Sequence, residues 1–416
     1  MTGKTDRPGF AEKVEKRMPA LFLIWLLISV LGPHQDLYKI FFHGIVIPAS
    51  LILLFSGRAR INWRDPLLLT ALILAAYSSI TTFIVGQGPL PDHIRAFRWG
   101  VETFFCLLAY YLWLPAVLAR PSWWGRNFIL LALLGAVGGF LLFATGLNPE
   151  ERLTGLGALH NPIQASSILL IYLAIGHFLV FIRHPSPDAP ADKTAIRLLI
   201  LSGVAVTIFV LMSQSRGPII TMGVFLVYLG GWSLLRNSLL KTGLVMLGAA
   251  GLVVGVLGAV YGLDQYHELL LMRGSSYRFA IWQGYLMYPP DSWIFGFGAG
   301  TDPAQLEAAK EFWMPSQMPV THAHNIWLGT LVENGIIGLG LLFAIAVLLL
   351  KSAFTGPGTR REKAGRMMLL LLVFLLTLTG EHTLISSAKA IWLFGWLPLL
   401  FVWFSSREQV IDNSSQ

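Results

Sequence analysis

The sequence predicts an all-α, polytopic membrane protein of about twelve transmembrane helices with one sizeable segment outside the bilayer. Only 12% of its 416 residues are charged and 55% are hydrophobic, whereas a soluble domain carries about 25% charged residues. Its mean hydropathy is +0.65. Apolar runs long enough to cross a bilayer core, about 17–25 residues each, recur from one end to the other. Too little polar surface remains to cover a water-soluble globule of this size. The net charge of +8 does not point to nucleic acid, because the basic residues form no block. They fall between apolar runs, which is a signature of membrane topology. Cys106 is the single cysteine, which excludes an intrachain disulfide and a Cys-based metal site.

The spans are predicted at 19–32, 40–56, 66–86, 99–118, 127–146, 163–182, 196–213, 218–235, 242–261, 326–350, 367–380 and 390–404, many of them ended by proline or glycine. No small-residue cleavage pattern follows the first run, so it reads as an uncleaved helix. The chain then divides into 1–261 with nine helices, an extramembrane segment 262–325, and 326–416 with three helices and a tail. With the N-terminus inside, 21 of the 30 Lys and Arg residues fall inside and 9 outside. That bias predicts cytoplasmic termini and a 262–325 segment on the opposite face. The outside cations run against the topology signal and need another reason to be there. They are Lys39, Arg95, Arg98, Arg152, Arg216, Arg273, Arg278, Lys310 and Lys389.

Three stretches carry candidate chemistry. In Ser213-Gln-Ser-Arg216-Gly-Pro218 a short outer loop leads into the eighth span, with Gly217 or Ser215 as its cap and Pro218 in its first turn. Arg216 therefore sits where the helix dipole is already positive, and two like potentials at one point favour an anion between them. The plainer reading is a boundary arginine snorkelling to water. In Arg273-Gly-Ser-Ser276-Tyr-Arg278-Phe-Ala-Ile-Trp282, Ser275 or Ser276 predicts a helix start with Arg278 in its first turn. Phe279, Trp282 and Tyr285 would form an apolar stripe. The same anion argument applies, against the alternative of an ordinary surface arginine. In Thr321-His322-Ala-His324-Asn325, Asn325 is a helix cap, so His324 sits at a positive helix end and should stay neutral. A neutral imidazole is what a general base needs. A structural histidine bonding backbone is the plain alternative, and metal binding lacks a third ligand nearby. Under the predicted topology, all three helix starts face the same side and can converge on one pocket. Arginine pairs bidentately with phosphate oxygens, so the simplest ligand is a lipid phosphate or diphosphate.

Other features are weaker. Asp302-Pro303-Ala-Gln305 predicts a helix running through Trp313. Arg95 and Arg98 precede the fourth span and either add to the anion field or snorkel. Arg152 lies in a Gly-rich outer loop near His160. Glu381, His382 and Lys389 are placed to pair with each other. Neither an Asp-x-Asp pair, a P-loop, a Rossmann fingerprint nor a Gly-x-Ser-x-Gly elbow is present.

His324-Asn325, nine residues, Gly335, two residues, Gly338 resembles the signature of the bacterial O-antigen ligases, a superfamily shared with O-antigen polymerases and some O-linking oligosaccharyltransferases. Ser215-Arg216-Gly217 and Arg278-x-x-x-Trp282 resemble the family's two arginine positions, and the order of motifs across the whole chain agrees. The resemblance implies the C-type membrane glycosyltransferase fold and glycosyl transfer in the periplasm. The donor it implies is O-antigen on undecaprenyl diphosphate, and the acceptor is a sugar hydroxyl of the lipid A-core. Arg216 and Arg278 would hold the diphosphate and His324 would take or orient the acceptor hydroxyl proton, with Asn325, His322, Arg152, Arg95 and Arg98 as secondary residues. No metal, cofactor or nucleic acid is expected; membrane lipids are the surroundings. An O-antigen polymerase of the same superfamily is the nearest alternative. A lipid-linked glycan transporter or flippase, which would show ionisable residues near the bilayer midplane and broken helices, is the alternative from another class.

Overall fold

The computed structural model describes residues 9–86, 89–147, 152–183, 192–234, 278–315, 320–381 and 383–407. Among these residues every regular element is a helix. In chain order they are α1 (Phe10–Leu31), α2 (Gln35–Phe41), α3 (Ile47–Phe55), α4 (Pro66–Val85), α5 (Leu90–Leu118), α6 (Pro121–Ala144), α7 (Pro162–His177), α8 (Lys193–Met212), α9 (Arg216–Leu234), α10 (Arg278–Met287), α11 (Ile326–Thr355), α12 (Arg360–Gly380) and α13 (Leu397–Ser405). A five-residue π turn joins α2 to α3, and others extend α7 and precede α13. Seven of the helical runs are long and apolar enough to cross a membrane. Eleven of the predicted spans fall on these helices; the span at 242–261 lies outside the described residues. The first helix starts earlier than predicted, at Phe10, and Pro19 sits inside it.

Short polar side chains fix many helix starts. Asp65, Asn161, Asp192 and Asn325 each accept a hydrogen bond from two backbone N–H groups of the first turn, and Thr359 forms a capping box with Glu362. These bonds satisfy donors that a helix leaves orphaned at its N-terminus. The core forms around α7, which is apolar on every side and nearly wholly buried, the pattern of a helix enclosed by other helices. α6 packs against it at close range. A Cβ at Gly125 would lie 3.0 Å from the Gly176 carbonyl oxygen, and a Cβ at Gly176 would lie 2.8 Å from that of Gly125. Small residues permit such backbone approach inside a membrane.

The loops sort into two sets. In one, Asp65 accepts hydrogen bonds from Tyr111, Trp403 and Arg407 at 2.9, 3.0 and 2.6 Å, Arg58 pairs with Glu12 and Glu15, and Arg126 pairs with Asp192. In the other, Glu102 accepts from the Ala388 N–H at 3.0 Å and pairs with Arg98 and His43, while Thr103 exchanges two hydrogen bonds with Ser386. Each set contains only loops that the charge count assigned to the same face. Glu102, read from sequence as a charge within a span, ties the 386–388 segment to α5.

The described part of the 262–325 segment has a small core of its own. Ile281, Tyr285, Phe297, Leu306, Trp313 and Ala323 pack with Val332 of α11. Of the predicted Phe279–Trp282–Tyr285 stripe, Tyr285 is in this core and Trp282 packs against it, while Phe279 is corrected. Ile281, Gly284 and Tyr285 face inward and Phe279 is exposed, because Trp313 stacks over Gly284 and fixes the helix rotation. The helix predicted from Asp302 through Trp313 is also corrected. Leu306, at ψ 153, divides it into the turns Pro303–Gln305 and Ala309–Trp313.

Candidate active site

Asn325 caps α11 through bonds to the Trp327 and Leu328 N–H groups at 2.9 and 3.1 Å, as its sequence position predicts. The residue before it is strained. His324 adopts φ 50, a left-handed conformation that is uncommon for a residue with a Cβ. His322 supports it by accepting the His324 N–H on Nδ1 at 3.1 Å, and the two rings lie 3.8 Å apart. From the other side, the Trp282 indole donates to the Ala323 carbonyl at 2.8 Å. That bond joins the loop to α10, the helix that begins with Arg278. His324 Nδ1 is buried and has no hydrogen-bond partner. Burial, and then the neighbouring Arg278 charge, lower the His324 pKa from 6.5 to about 4. The imidazole is therefore neutral at physiological pH.

Arg216 is the first residue of α9. The turn before it is strained in the same way, with Gln214 at φ 51. Gln214 and His324 are the two non-glycine residues with positive φ among the described residues. Gln214 Oε1 is also buried without a partner. Strain of this kind persists only where surrounding contacts enforce it, and it gathers at functional sites. Here the enforcing contacts come from Arg152 and α7. Arg152 donates from Nε to the Ser213 carbonyl at 2.9 Å and from Nη2 to Ser215 Oγ at 2.8 Å, and Ser166 donates to Ser213 Oγ at 2.8 Å. Ser213 and Ser215 are buried. Arg152, named from sequence only as an outer-loop residue, thus clamps the Arg216 turn. Arg152→Ala is expected to cost about 2 kcal/mol, because it removes two hydrogen bonds from a charged donor and leaves the Ser213 carbonyl only the longer bond from Ser215 Oγ at 3.2 Å. A melting curve in detergent checks this, and an unchanged midpoint would mean that the turn holds itself.

Arg278 links the two loops electrostatically. Burial, and then repulsion from Arg216, lower its pKa below the ordinary guanidinium value. Arg278 in turn acts on His324. The three residues that the sequence brought forward thus share one electrostatic neighbourhood, two cations and one neutral base. Arg95 and Arg98 do not add to it as free charges, since they pair along α5 with Asp92 and Glu102 at 2.8 and 3.2 Å. Among the described residues, no group of three or more His, Cys, Asp or Glu side chains is arranged to hold a metal ion. Arg273 and His382 lie outside the described residues.

The sequence reading named Gly335 as part of a pattern, but not what it does. Gly335, at φ 64 and ψ −166, breaks α11 nine residues after its start. The segment 293–298 fills the break. Phe297 and Gly298 donate to the Val332 and Glu333 carbonyls at 2.7 and 2.9 Å, and Ile336 donates to the Trp293 carbonyl at 2.8 Å. This stitches the segment that carries α10 onto the helix that begins just after the His324-Asn325 pair. Glu333, beside the break, was not singled out from sequence.

The described residues define a class: an all-helical protein with several helices long and apolar enough to cross a membrane, and with its candidate residues Arg216, Arg278 and His324 at helix ends. A family model described as O-antigen ligase matches residues 198–343, a stretch that contains Arg216, Arg278, His324 and Gly335. The chain is also 25% identical over 383 residues to a protein of Pseudomonas aeruginosa described as O-antigen ligase, covering 90% of this chain and 88% of that one. The chain is thus similar to O-antigen ligases, in the stretch that carries the candidate residues and along most of its length.

Proposed function

We propose that this protein transfers O-antigen polysaccharide from undecaprenyl diphosphate to a sugar hydroxyl of lipid A-core at the periplasmic face of the bacterial inner membrane, both termini lying in the cytoplasm. The observation that carries the reading is the shared neighbourhood of Arg216, Arg278 and His324. Two arginines that repel each other across a partly buried space are relieved by a ligand of opposite charge, and a diphosphate offers two such groups. The acceptor hydroxyl attacks the anomeric carbon of the first donor sugar. Its proton passes to His324, the bond from that carbon to the diphosphate oxygen breaks, and the electron pair leaves on the diphosphate. The arginines stabilise the charge that develops there. The leaving group is a stable anion, so no protonating acid is required. Direct displacement inverts the anomeric centre.

The lipid tail has a place to lie. An apolar groove of about 310 Å³ opens between α11 and α12. It begins at Ile326 and Trp327, the two residues after the His324-Asn325 pair, and runs down to Leu349 and Leu350. The start of this groove directly after the His324-Asn325 pair supports a ligand with an anionic head and a long apolar tail.

The test is purified full-length protein in detergent given undecaprenyl-diphosphate-linked O-antigen and rough lipopolysaccharide. Joined product is expected without added nucleotide, with inverted anomeric configuration. Arg216→Lys and Arg278→Lys are expected to retain little of the rate, since lysine lacks the two-pronged guanidinium geometry. Retained configuration would overturn the displacement. A deletion strain that still caps its lipopolysaccharide with a single repeat unit would instead point to a polymerase.

A further inference from the structure

A second polar cavity lies beyond the site described above. It has a volume of about 190 Å³ and is lined by Tyr38 and Lys39 of α2, His160 and Asn161 before α7, Gln164 of α7, and Lys389. Three loops that the charge count put on the outer face meet here. Lys39 and Lys389 were the two outer lysines outside the 262–325 segment, and each opposes the topology signal. The fold brings both to one cavity, although 350 positions separate them.

The two lysines keep donors for a ligand. Lys39 is ion-paired with Asp36 at 3.0 Å, which offsets its charge, and its ammonium has two further donors. Lys389 lies over the Trp99 ring at 5.4 Å, a contact that positions the ammonium without neutralising it. The nearby carboxyl of Glu381 is buried, accepts from Gln164 Nε2 at 2.7 Å, and is raised by burial to about 7. The Gln164 bond and the Lys389 charge pull it the other way, so it offsets Lys389 only in part at neutral pH. Glu102, on the far side of the Ala388 backbone, is occupied by Arg98, His43 and the Ala388 N–H.

The cavity and the Arg216 turn border the same helix. Gln164 lines the cavity, and Ser166, two residues on, bonds Ser213 in the turn that leads to Arg216. The first turn of α7 therefore has the cavity on one side and the Arg216 turn on another. The donor's diphosphate already has its arginines. Direct displacement needs a second substrate approaching from elsewhere, and a cavity with two lysines that borders the same helix suits an anionic group on that substrate.

We propose that Lys39 and Lys389 form an acceptor subsite, binding a phosphate or carboxylate on the acceptor saccharide close to the hydroxyl that is glycosylated. This rests on the transferase reading. Lysines suit the task because a point charge on a flexible stem accepts an anion in several orientations, as a branched saccharide would present it.

The test uses the full-length protein in detergent with native acceptor, with acceptor stripped of phosphate by hydrofluoric acid, and with carboxyl-reduced acceptor. Wild-type protein is expected to show an acceptor KM raised about tenfold or more for whichever treatment removes the recognised group, the size of one charge-assisted contact. Lys39→Gln and Lys389→Gln are expected to raise the KM for native acceptor by a similar factor and to leave the donor KM at its wild-type value. Arginine at either position should restore most of the affinity. Against the stripped acceptor the glutamine variants should match wild type. The inference is overturned if neither treatment changes the wild-type KM, or if the variants shift the donor KM instead. The comparison of acceptors on wild-type protein needs no variant to fold. Absence of any joined product with wild-type protein and native acceptor would instead overturn the transferase reading itself.

Discussion

Replacing His324 with alanine is expected to lower glycan transfer by about 10²–10⁴-fold, the contribution of a positioned general base, with the protein still inserted and folded. His322→Ala, which removes the acceptor for the His324 N–H and a ring packed against His324, should cost less. The pH dependence identifies the base further. With a pKa near 4 in the free protein, His324 is neutral over the whole physiological range. The acid limb of kcat/KM, which reports free enzyme, should therefore fall near pH 4 and not near 6.5. The limb of kcat should lie higher. Bound diphosphate offsets the Arg278 charge that helps depress the imidazole, and a carboxylate-like field nearby raises a histidine's proton affinity. The base thus becomes stronger only once the donor is seated. The sign for stability follows from the same shift. The unfolded chain binds a proton at about 6.5 and the folded one only at about 4, so this contribution is complete above pH 6.5 and is lost as pH falls between the two values. Wild-type kinetics from His324→Ala, or an acid limb of kcat/KM near 6.5, would remove the base.

What the sequence made legible was set by the range of the interactions. Asn325 as a cap, Pro66 and Pro162 at helix starts, and the apolar runs are local, so a few neighbouring residues specify them. The grouping of the loops into two sets was legible because it depends only on the order of spans. The Arg216, Arg278 and His324 set could be assembled from that order, each residue being a cation or base placed against a positive helix end. Arg152 could not be assigned, because its partners at Ser213 and Ser215 lie some 60 residues on. Glu102 looked like a charge in a span, since its partner is a backbone N–H at Ala388. The rotation of α10 was misjudged for a similar reason. Periodicity chose Phe279 as inward-facing, but Trp313, distant in sequence, packs on Gly284 instead. The strain at Gln214 and His324 has no signature in residue type; neither is a glycine.

Gly335→Ala is expected to have the largest effect on the folded state of any single methyl addition near the site. The added Cβ would lie 2.1 Å from the Ile294 carbonyl oxygen and 2.3 Å from its carbonyl carbon. These are backbone atoms, so no side-chain rotation relieves the clash. The backbone at φ 64 and ψ −166 belongs to a region that is essentially glycine's alone, and a residue with a Cβ pays about 1–3 kcal/mol there even in open space. If the helix closed over the break instead, the bonds from Phe297, Gly298 and Ile336 would be lost together, and the 293–298 segment would come away. That segment follows α10, which holds Arg278 toward the His324 loop. The expected result is a melting temperature lowered by an amount equivalent to about 3 kcal/mol or more and a transfer rate near that of Arg278→Ala. A transporter reading makes the opposite demand. It needs the break to line a wet path through the bilayer, whereas here protein backbone fills it and satisfies the freed carbonyls. If Gly335→Ala kept full stability and rate, the stitch between 293–298 and α11 would not be what holds Arg278 and His324 within reach of one diphosphate.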